Sequence, residues 1–388
     1  MRTARRIETL PPYLFAELDR KLDAARAKGV DVISFGIGDP DRPTPAHIVE
    51  AGTAAIRDPS NHRYPSYYGL AEFRRAIAAF YRRRFGIDLD PDTQVLPLIG
   101  SKEGIANLAT AFVDPGDAVL VCDPGYPVYE TGTLLAGGTV EPVPLSPEDG
   151  FLPRFDRIPA DAAARSKVLW LNFPGNPTAA VCDVSLFEEA GAFAAEHDLL
   201  LAHDSAYSEI TYDGYVAPSV LQAPGARDHA IEFGSLSKTY NMTGWRTGWA
   251  AGAPKAIEAL GRVKTNIDSG IFNALQRAGV AALEGPQECV AEMVAVYRRR
   301  RDLLVDALRG AGWVVPAPRG SIYLWAPVPE GTTSVGLSEL LLERAGVFVT
   351  PGSGYGRGGE GYVRLSLTVP DDRLEEGATR IAKVLADR

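Results

Sequence analysis

The chain has 388 residues, a length that predicts two domains because one hydrophobic core rarely organises so many residues. Hydrophobic residues make up 46% of the chain and charged residues 23%, which is the composition of an ordinary globular protein. The formal net charge of −9 argues against nonspecific binding to nucleic acid or to an anionic membrane surface.

The cysteines and the N-terminus bear on the cellular compartment. The spacing of Cys122, Cys182 and Cys289 matches neither a metal site nor a disulfide framework, so we expect free thiols, no metal and a reducing compartment. The basic residues of 1–6 precede no apolar run, and no segment is long and apolar enough to span a membrane. These features predict a cytoplasmic protein without a signal peptide.

The first three quarters of the chain alternate between helical and strand patterns. Helices are predicted at 17–28, 46–57, 70–85, 102–112 and 184–197. Strands are predicted at 30–35, 118–122, 168–172, 199–202, 230–233 and 248–251. Short, fully apolar strands that alternate with helices are typical of an α/β fold, with a mainly parallel sheet flanked by helices.

The C-terminal part has a different pattern, typical of a smaller α+β domain. It begins with a long helix and continues with short strands and two helices, predicted at 287–311, 313–315, 321–328, 337–344, 362–367 and 371–386. We therefore expect a large domain at 46–285. The smaller domain would comprise 286–388 together with the N-terminal segment 1–45.

The segment 235–249, SLSKTYNMTGWRTGW, is the most informative motif. It places Lys238 among hydroxyl groups and glycines, with Arg246 eight residues later. A lysine amine can form a Schiff base with an aldehyde, and hydroxyl groups with an arginine can bind phosphate. An aldehyde that carries a phosphate is pyridoxal 5'-phosphate (PLP). The motif alone decides nothing, since most lysines lie at the solvated surface.

Further polar residues follow the predicted strands, where ligands of α/β sheets bind. Ser101 and Lys102 open a helix whose N–H groups can bind phosphate, although Ser101 can equally be a simple N-cap. Tyr126 can stack on a flat ring or cap the sheet edge. Asn176 can donate to a phenolate oxygen or only shape an Asn-Pro turn.

Three more residues extend this set. Asp204 ends a buried strand and can pair with a protonated ring nitrogen or cap a helix, and Tyr207 can reach the same ring. Arg364 lies in an apolar strand. A buried arginine binds a carboxylate or phosphate with two parallel hydrogen bonds, or it forms an internal salt bridge.

The order of these residues is more specific than any one of them. They are Ser101, Tyr126, Asn176, Asp204, Tyr207, Ser235, Lys238, Arg246 and Arg364. In this order the sequence resembles the PLP-dependent aminotransferases of fold type I, class I/II, over nearly the whole chain. The separations of 28 residues between Asn176 and Asp204, and of 8 between Lys238 and Arg246, are similar to those of the family.

The resemblance implies roles around a PLP cofactor. Lys238 would bind the aldehyde and act as general base and acid, and Asp204 would keep the ring nitrogen protonated. Tyr126 would stack on the ring, while Asn176 and Tyr207 would bind its phenolic oxygen. The groups implied for the phosphate are Ser101, Lys102, Ser235, Ser237, Arg246 and, from the neighbouring subunit, Tyr64. A shared site implies an obligate homodimer.

The resemblance also implies a substrate site and a ping-pong exchange between an amino acid and a 2-oxo acid. Arg364 would bind the α-carboxylate, with Asn176 and the Gly38 backbone close by, and Tyr13 would lie over the pocket. One position departs from the family, because the usual Asn-Pro-Thr-Gly turn ends in Ala179. An alanine there predicts an ordinary backbone conformation.

Four stretches are similar to the LL-diaminopimelate aminotransferases in particular: LPPYLFAE (10–17), ISFGIGDP (33–40), YPSYYGL (64–70) and NPTAAV (176–181). That subfamily would convert tetrahydrodipicolinate to LL-diaminopimelate in lysine and cell-wall synthesis, with glutamate as donor. Aspartate, alanine and broad-specificity aminotransferases share most of these motifs, because substrate pockets vary more than cofactor sites.

Two other classes remain open. A PLP-dependent C–S lyase or cyclopropane-forming synthase would use the same Lys238 and Asp204. A non-catalytic binding protein on this fold would usually lack a catalytic residue or carry a DNA-binding arm, and neither feature is present in the sequence.

Overall fold

The computed structural model describes residues 1–8, 10–11 and 14–387, with the backbone alone for 14–19. The helices are α1 (Arg5–Glu8), α2 (Leu14–Ala27), α3 (Ala46–Arg57), α4 (Ala71–Phe85), α5 (Ser101–Phe112), α6 (Val128–Ala136), α7 (Ala160–Arg165), α8 (Val184–Glu196), α9 (Leu236–Thr239), α10 (Pro254–Ile267), α11 (Asn273–Glu284), α12 (Glu288–Gly310), α13 (Ser334–Ala345) and α14 (Asp371–Ala386). The strands are β1 (Ile33–Ser34), β2 (Val95–Leu98), β3 (Ala118–Asp123), β4 (Thr139–Pro144), β5 (Ser166–Asn172), β6 (Leu200–Asp204), β7 (Ala230–Ser235), β8 (Gly248–Gly252), β9 (Tyr323–Pro327), β10 (Val347–Phe348), β11 (Thr350–Pro351) and β12 (Tyr362–Ser366).

A seven-stranded sheet forms the centre of the molecule, in the order β2-β8-β7-β6-β5-β3-β4. Strand β8 is antiparallel to both neighbours, and the remaining pairs are parallel. Every residue of β6 is buried, as expected for a strand that is covered on both faces. The predicted α/β fold with a mainly parallel sheet is therefore confirmed.

Amphipathic helices cover this sheet, and α4 illustrates why they form. Phe73, Ile77 and Phe80 recur at helical spacing and are buried in the core, while basic residues occupy the last turn, where they complement the helix dipole. The helix ends at Gly86, whose φ of 68° suits a residue without a Cβ. Packing of the apolar face thus fixes the position of the helix against the sheet.

A second, three-stranded antiparallel sheet, β11-β12-β9, lies in the C-terminal part. Its core cluster includes Leu304 of α12, Val363 of β12, Ile381 of α14 and the N-terminal Ile33. Strand β1 pairs in parallel with β10, so the N-terminal segment joins the C-terminal elements. The domain boundaries at 45/46 and 285/286 stay a prediction.

Residues 313–315 do not form the predicted strand. Trp313 and Val315 are buried and Val314 is exposed, an alternation that is also typical of a strand. In the described part of the chain, however, no other strand pairs with this segment, and the Trp313 indole donates to the Pro327 carbonyl at 2.6 Å. The alternating burial of residues 313–315 therefore results from packing of Trp313 and Val315 against α12, and it does not require pairing with another strand.

The sheet brings several strand ends to one edge. Strands β5, β6 and β7 end at Asn172, Asp204 and Ser235, and since they are parallel, these ends are neighbours.

Among the described residues, no helix combines the length and the apolar character needed to cross a membrane.

Candidate active site

A cavity of about 360 Å³ opens at this edge of the sheet. Its lining includes most of the residues singled out from the sequence: Gly38, Ser101, Lys102, Tyr126, Asn176, Asp204, Tyr207, Ser235, Ser237, Lys238, Arg246 and Arg364. Tyr64 does not line it, and Tyr13 lies outside the described residues. A larger cleft of about 1010 Å³ lies beside Phe155 and Phe193, and none of the described residues that line it is a lysine.

Lys238 occupies the short helix α9 directly after β7. The Ser235 hydroxyl accepts a hydrogen bond from the Ser237 N–H at 3.1 Å and caps this helix, which orients the lysine toward the cavity. Lys238 Nζ donates to the Gly38 carbonyl at 2.6 Å. Burial lowers the pKa of Lys238, and the positive charges of Arg364 and Arg246 act in the same direction. The neutral amine, which can act as nucleophile or base, is therefore more populated than in an ordinary exposed lysine.

Asp204 ends β6 and is buried. The Tyr129 hydroxyl donates to Oδ2 at 2.9 Å, whereas Oδ1 is buried and has no hydrogen-bond partner among the residues that the structure describes. Burial raises the pKa of Asp204 to about 6, against the lowering effect of the Tyr129 hydrogen bond. A carboxylate oxygen in this situation calls for a donor, and an aromatic N–H in the cavity would supply one.

Arg364 is 1% exposed and also lines the cavity. Its guanidinium donates to Asn176 Oδ1 at 2.7 Å and to the Gly36 carbonyl at 2.6 Å. The guanidinium carbon lies 3.9 Å from the centre of the Tyr323 ring and 5.0 Å from that of Tyr355. Two aromatic faces thus hold the planar guanidinium in the orientation that suits a carboxylate ligand.

Asn176 is oriented by two contacts. Its N–H donates to Asn172 Oδ1 at 2.7 Å, and its side-chain oxygen accepts from Arg364. The amide nitrogen is the donor that remains for a phenolate oxygen. Tyr207 approaches from the next loop, with its hydroxyl 3.1 Å from the Tyr323 hydroxyl.

The predicted conformation of the turn after Asn176 is wrong. Ala179 has a φ of 54°, in the left-handed region that favours glycine. The turn is closed by hydrogen bonds from the Gly175 N–H to the Ala180 carbonyl and from the Ala179 N–H to the Gly175 carbonyl. These contacts hold the backbone of the turn in place, so Ala179 is kept in a left-handed conformation although it carries a Cβ.

Ser101 and Lys102 lie at the N-terminus of α5. The preceding Gly100 has a φ of 72°, and a Cβ built on it would lie 2.3 Å from Nη2 of Arg246. Glycine is therefore required both for the turn and for the close approach of the arginine. Helix N–H groups, hydroxyl groups and a guanidinium converge here, which is the donor set of a phosphate site.

Two tyrosines in or beside the site were not predicted from the sequence. Tyr129 binds Asp204 and stacks on Trp170 at a centroid distance of 4.6 Å, and Tyr323 contacts both Tyr207 and Arg364. Tyr126 precedes α6 and Tyr129 lies in its first turn, and this spacing of three residues was an available signal for Tyr129. Within the described residues, no cluster of three metal-ligating side chains was found.

Comparison with known proteins identifies the family. The family model for aminotransferase class I and II matches residues 30–381. The chain belongs to this family. It is a transaminase, which moves an amino group between an amino acid and a 2-oxo acid.

Individual relatives agree with this assignment. LL-diaminopimelate aminotransferase of Moorella thermoacetica is 55% identical over 385 residues, which cover 99% of each chain. The enzyme of the same name from Desulforudis audaxviator is 56% identical over 378 residues, covering 97% of this chain and 96% of its own.

Solved structures extend the similarity. Substrate-bound BacF from Bacillus subtilis has a TM-score of 0.96 and 37% identity, covering 99% of this chain and 98% of its own. A probable N-succinyldiaminopimelate aminotransferase from Thermus thermophilus has a TM-score of 0.90 and 38% identity, covering 96% of this chain and all of its own.

Proposed function

We propose that this transaminase uses PLP and acts as an LL-diaminopimelate:2-oxoglutarate aminotransferase in lysine biosynthesis. One observation supports the cofactor most strongly: a buried lysine of lowered pKa shares a cavity with a buried carboxylate oxygen that has no partner among the described residues. The identity of 52–56% to curated enzymes of that name supports the substrate.

The residues of the cavity fit PLP group by group. Asp204 would accept a hydrogen bond from the ring nitrogen, Tyr126 would face the ring, and Asn176 with Tyr207 would bind the phenolic oxygen. The proposed phosphate ligands are Ser101, Lys102, Ser235, Ser237 and Arg246. When bound, PLP supplies an electron sink for the negative charge that forms at the substrate Cα.

The protein's own groups then divide the work. Arg364 binds the substrate α-carboxylate by two parallel hydrogen bonds, since its guanidinium is already oriented by Asn176 and the tyrosine rings. Lys238 Nζ takes up the proton at Cα, because desolvation favours its neutral form. The charge of Asp204 keeps the proton on the ring nitrogen at neutral pH.

Assembly and location belong to the same proposal. We propose a homodimer in the cytoplasm in which Tyr64 reaches the phosphate of the neighbouring subunit. The Tyr64 side chain is 85% exposed in the single chain and does not line the cavity of its own chain, which supports a role toward a partner.

The experiment is a coupled assay of the purified, PLP-loaded protein with LL-diaminopimelate and 2-oxoglutarate, beside aspartate, alanine and aromatic donors. We expect a preference for LL-diaminopimelate, with the product 2-oxo acid formed in equal amount to glutamate. The matched control is Lys238→Ala, which should fold and show no turnover.

Each other outcome has a definite meaning. Turnover only with aspartate, alanine or aromatic donors would keep the transaminase and discard the diaminopimelate substrate. Release of ammonia or a thiol from an amino acid, without formation of glutamate from 2-oxoglutarate, would indicate a lyase. Failure of the protein to bind PLP would overturn the cofactor proposal.

A further inference from the structure

Lys264 is a buried lysine that the proposed mechanism does not use. It lies on α10 with 1% of its side chain exposed. Its Nζ donates to both carboxylate oxygens of Asp268, at 2.8 and 2.9 Å, and to Glu103 Oε2 at 3.3 Å. A buried charge is tolerated only where opposite charges and hydrogen bonds offset its desolvation, so these three side chains form one unit.

Glu103 connects this unit to the phosphate site. Its Oε2 accepts from the Ile99 N–H at 3.0 Å, and its Oε1 accepts from the Asn107 side-chain amide at 2.8 Å. Ile99 directly precedes Gly100 and Ser101, where α5 begins. The Glu103 carboxylate therefore shapes the turn that presents the proposed phosphate ligands.

The negative charge of Glu103, in the first turn of α5, would by itself weaken phosphate binding at the N-terminus of that helix. An acidic residue in the first turn of a helix interacts favourably with the helix dipole, but it competes with a phosphate for the same positive end. Burial raises the pKa of Glu103, and the charge of Lys264 opposes that effect. Without Lys264, Glu103 would either repel a phosphate dianion or take up a proton.

Asp268 extends the unit toward the exposed segment that carries Tyr64. Its Oδ1 accepts from the Gly270 N–H at 2.7 Å. Gly270 has a φ of 90°, and a Cβ built on it would lie 2.8 Å from the Ser66 carbonyl oxygen. The loop after α10 thus packs directly against the backbone two residues beyond Tyr64.

We propose that Lys264 is a positioning residue of the phosphate site. By neutralising Glu103, it lets an anionic side chain shape the 99–102 turn without repelling the phosphate, and through Asp268 it supports the loop behind Tyr64. This inference rests on the proposed function, because it takes the phosphate of PLP as the ligand of the turn.

The test is titration of the PLP-free protein with PLP and, separately, with pyridoxal, which lacks the phosphate. We expect Lys264→Met to weaken PLP binding by about 10- to 100-fold, because it leaves the Glu103 and Asp268 carboxylates without their cation, and Glu103 lies in the first turn of the helix whose N-terminus is proposed to bind the phosphate. Pyridoxal affinity should change by less than about threefold, since no second anion is present. A general packing defect would weaken both ligands alike.

Matched variants separate charge from shape. Glu103→Gln keeps an acceptor for the Ile99 N–H, so it should retain PLP affinity, and Lys264→Met/Glu103→Gln should recover most of the loss. Unchanged PLP affinity in Lys264→Met, or equal losses in Glu103→Gln and Lys264→Met, would overturn the inference. If Lys264→Met does not fold, Glu103→Ala should bind PLP less tightly than Glu103→Gln, and equal affinities would overturn it. A wild-type protein that binds no PLP would instead refute the proposed function.

Discussion

At the scale of single residues, the buried carboxylate of Asp204 destabilises the cofactor-free protein but suits the binding of a ring N–H. Its carboxylate is buried, Tyr129 donates to one oxygen, and the other oxygen has no partner among the described residues. Burial raises the pKa of Asp204 to about 6 from an ordinary value of 3.8. In the cofactor-free protein, the ionised form is therefore a destabilising group that a ring N–H would compensate.

We predict that Asp204→Asn stabilises the cofactor-free protein. The folded state retains a proton that the unfolded state releases, so the stability contributed by protonated Asp204 is lost as pH rises from 3.8 to about 6. Asparagine does not ionise, so the advantage of the variant should grow across this window and then stay constant. The gain at pH 8 should be on the order of 1–3 kcal/mol. Urea denaturation at pH 4, 6 and 8 measures it.

The same variant should bind PLP more weakly than the wild type, which separates the two roles of the carboxylate. Asp161→Asn is the control, because the Asp161 side chain is 80% exposed and should show no such pH-dependent difference. Parallel pH profiles for Asp204→Asn and the wild type would mean that Asp204 ionises freely in the folded protein.

At the scale of elements, the turn after β5 stores strain in the site. Ala179 has a left-handed conformation, which costs about 1–2 kcal/mol for a residue with a Cβ. The same turn carries Asn176, whose side chain accepts a hydrogen bond from Arg364. The strain therefore accompanies the placement of a residue that we assign to both cofactor and substrate.

We predict that Ala179→Gly changes stability by less than about 1 kcal/mol, because relief of about 1–2 kcal/mol of strain offsets the loss of a buried methyl group worth about 0.8 kcal/mol and the backbone entropy of glycine worth about 0.5–1 kcal/mol. Ala192→Gly, at an exposed position within α8, is the matched control and should cost about 1 kcal/mol. Urea denaturation of both variants compares them. Equal destabilisation would show that the backbone at Ala179 is not strained.

Sequence patterns predicted helices and strands well where the periodicity of apolar residues within the segment determines the structure. The range 371–386 coincides with α14 and 70–85 nearly with α4, because both helices have a strong apolar periodicity. Strand β4 was not predicted, because its sequence TVEPVP contains two prolines and lies at the edge of the sheet. The antiparallel direction of β8 depends on how the 236–247 connection returns, which no local pattern encodes.

The same distinction applies to the site. Lys238 was found from the hydroxyl- and glycine-rich motif around it, and Asp204 was found because it ends a buried strand, at the edge where the ends of parallel strands meet. Tyr129 was not found from the sequence, since its contact with Asp204 depends on the packing of α6 against the sheet. Tyr323 likewise reaches Arg364 from a strand of the second sheet, 41 positions earlier in the chain. Contacts between separate elements are the part that the sequence alone did not reveal.

At the scale of the whole molecule, a patch of exposed aromatic and aliphatic side chains indicates a partner. Tyr64 is 85% exposed, Ile267 is 62% exposed, and Tyr67 and Tyr68 are each 49% exposed. The loop that follows Ile267 packs against Ser66, so these side chains belong to one surface. Large apolar patches on soluble proteins mark interaction sites, and a second copy of the chain is the occupant that we propose.

The proposed sharing of sites across a dimer predicts complementation between two defective chains. Lys238→Ala removes the base from its own site, and Tyr64→Ala removes a phosphate ligand from the neighbouring site. In a mixed dimer, the Tyr64→Ala chain keeps Lys238 and receives Tyr64 from its partner, so one complete site forms. Random reassortment of equal amounts should give about a quarter of wild-type activity, since half of the dimers carry one of two sites.

Each variant alone should remain well below this value. The mixture is prepared by co-unfolding and refolding, or by co-expression with two affinity tags, and its activity and PLP content are compared with those of the unmixed variants. If Tyr64 served its own chain, the mixed dimer would contain one site without Lys238 and one without Tyr64, and mixing would give only the average of the two variants. Complementation therefore distinguishes a shared site from a self-contained one, even where both chains dimerise.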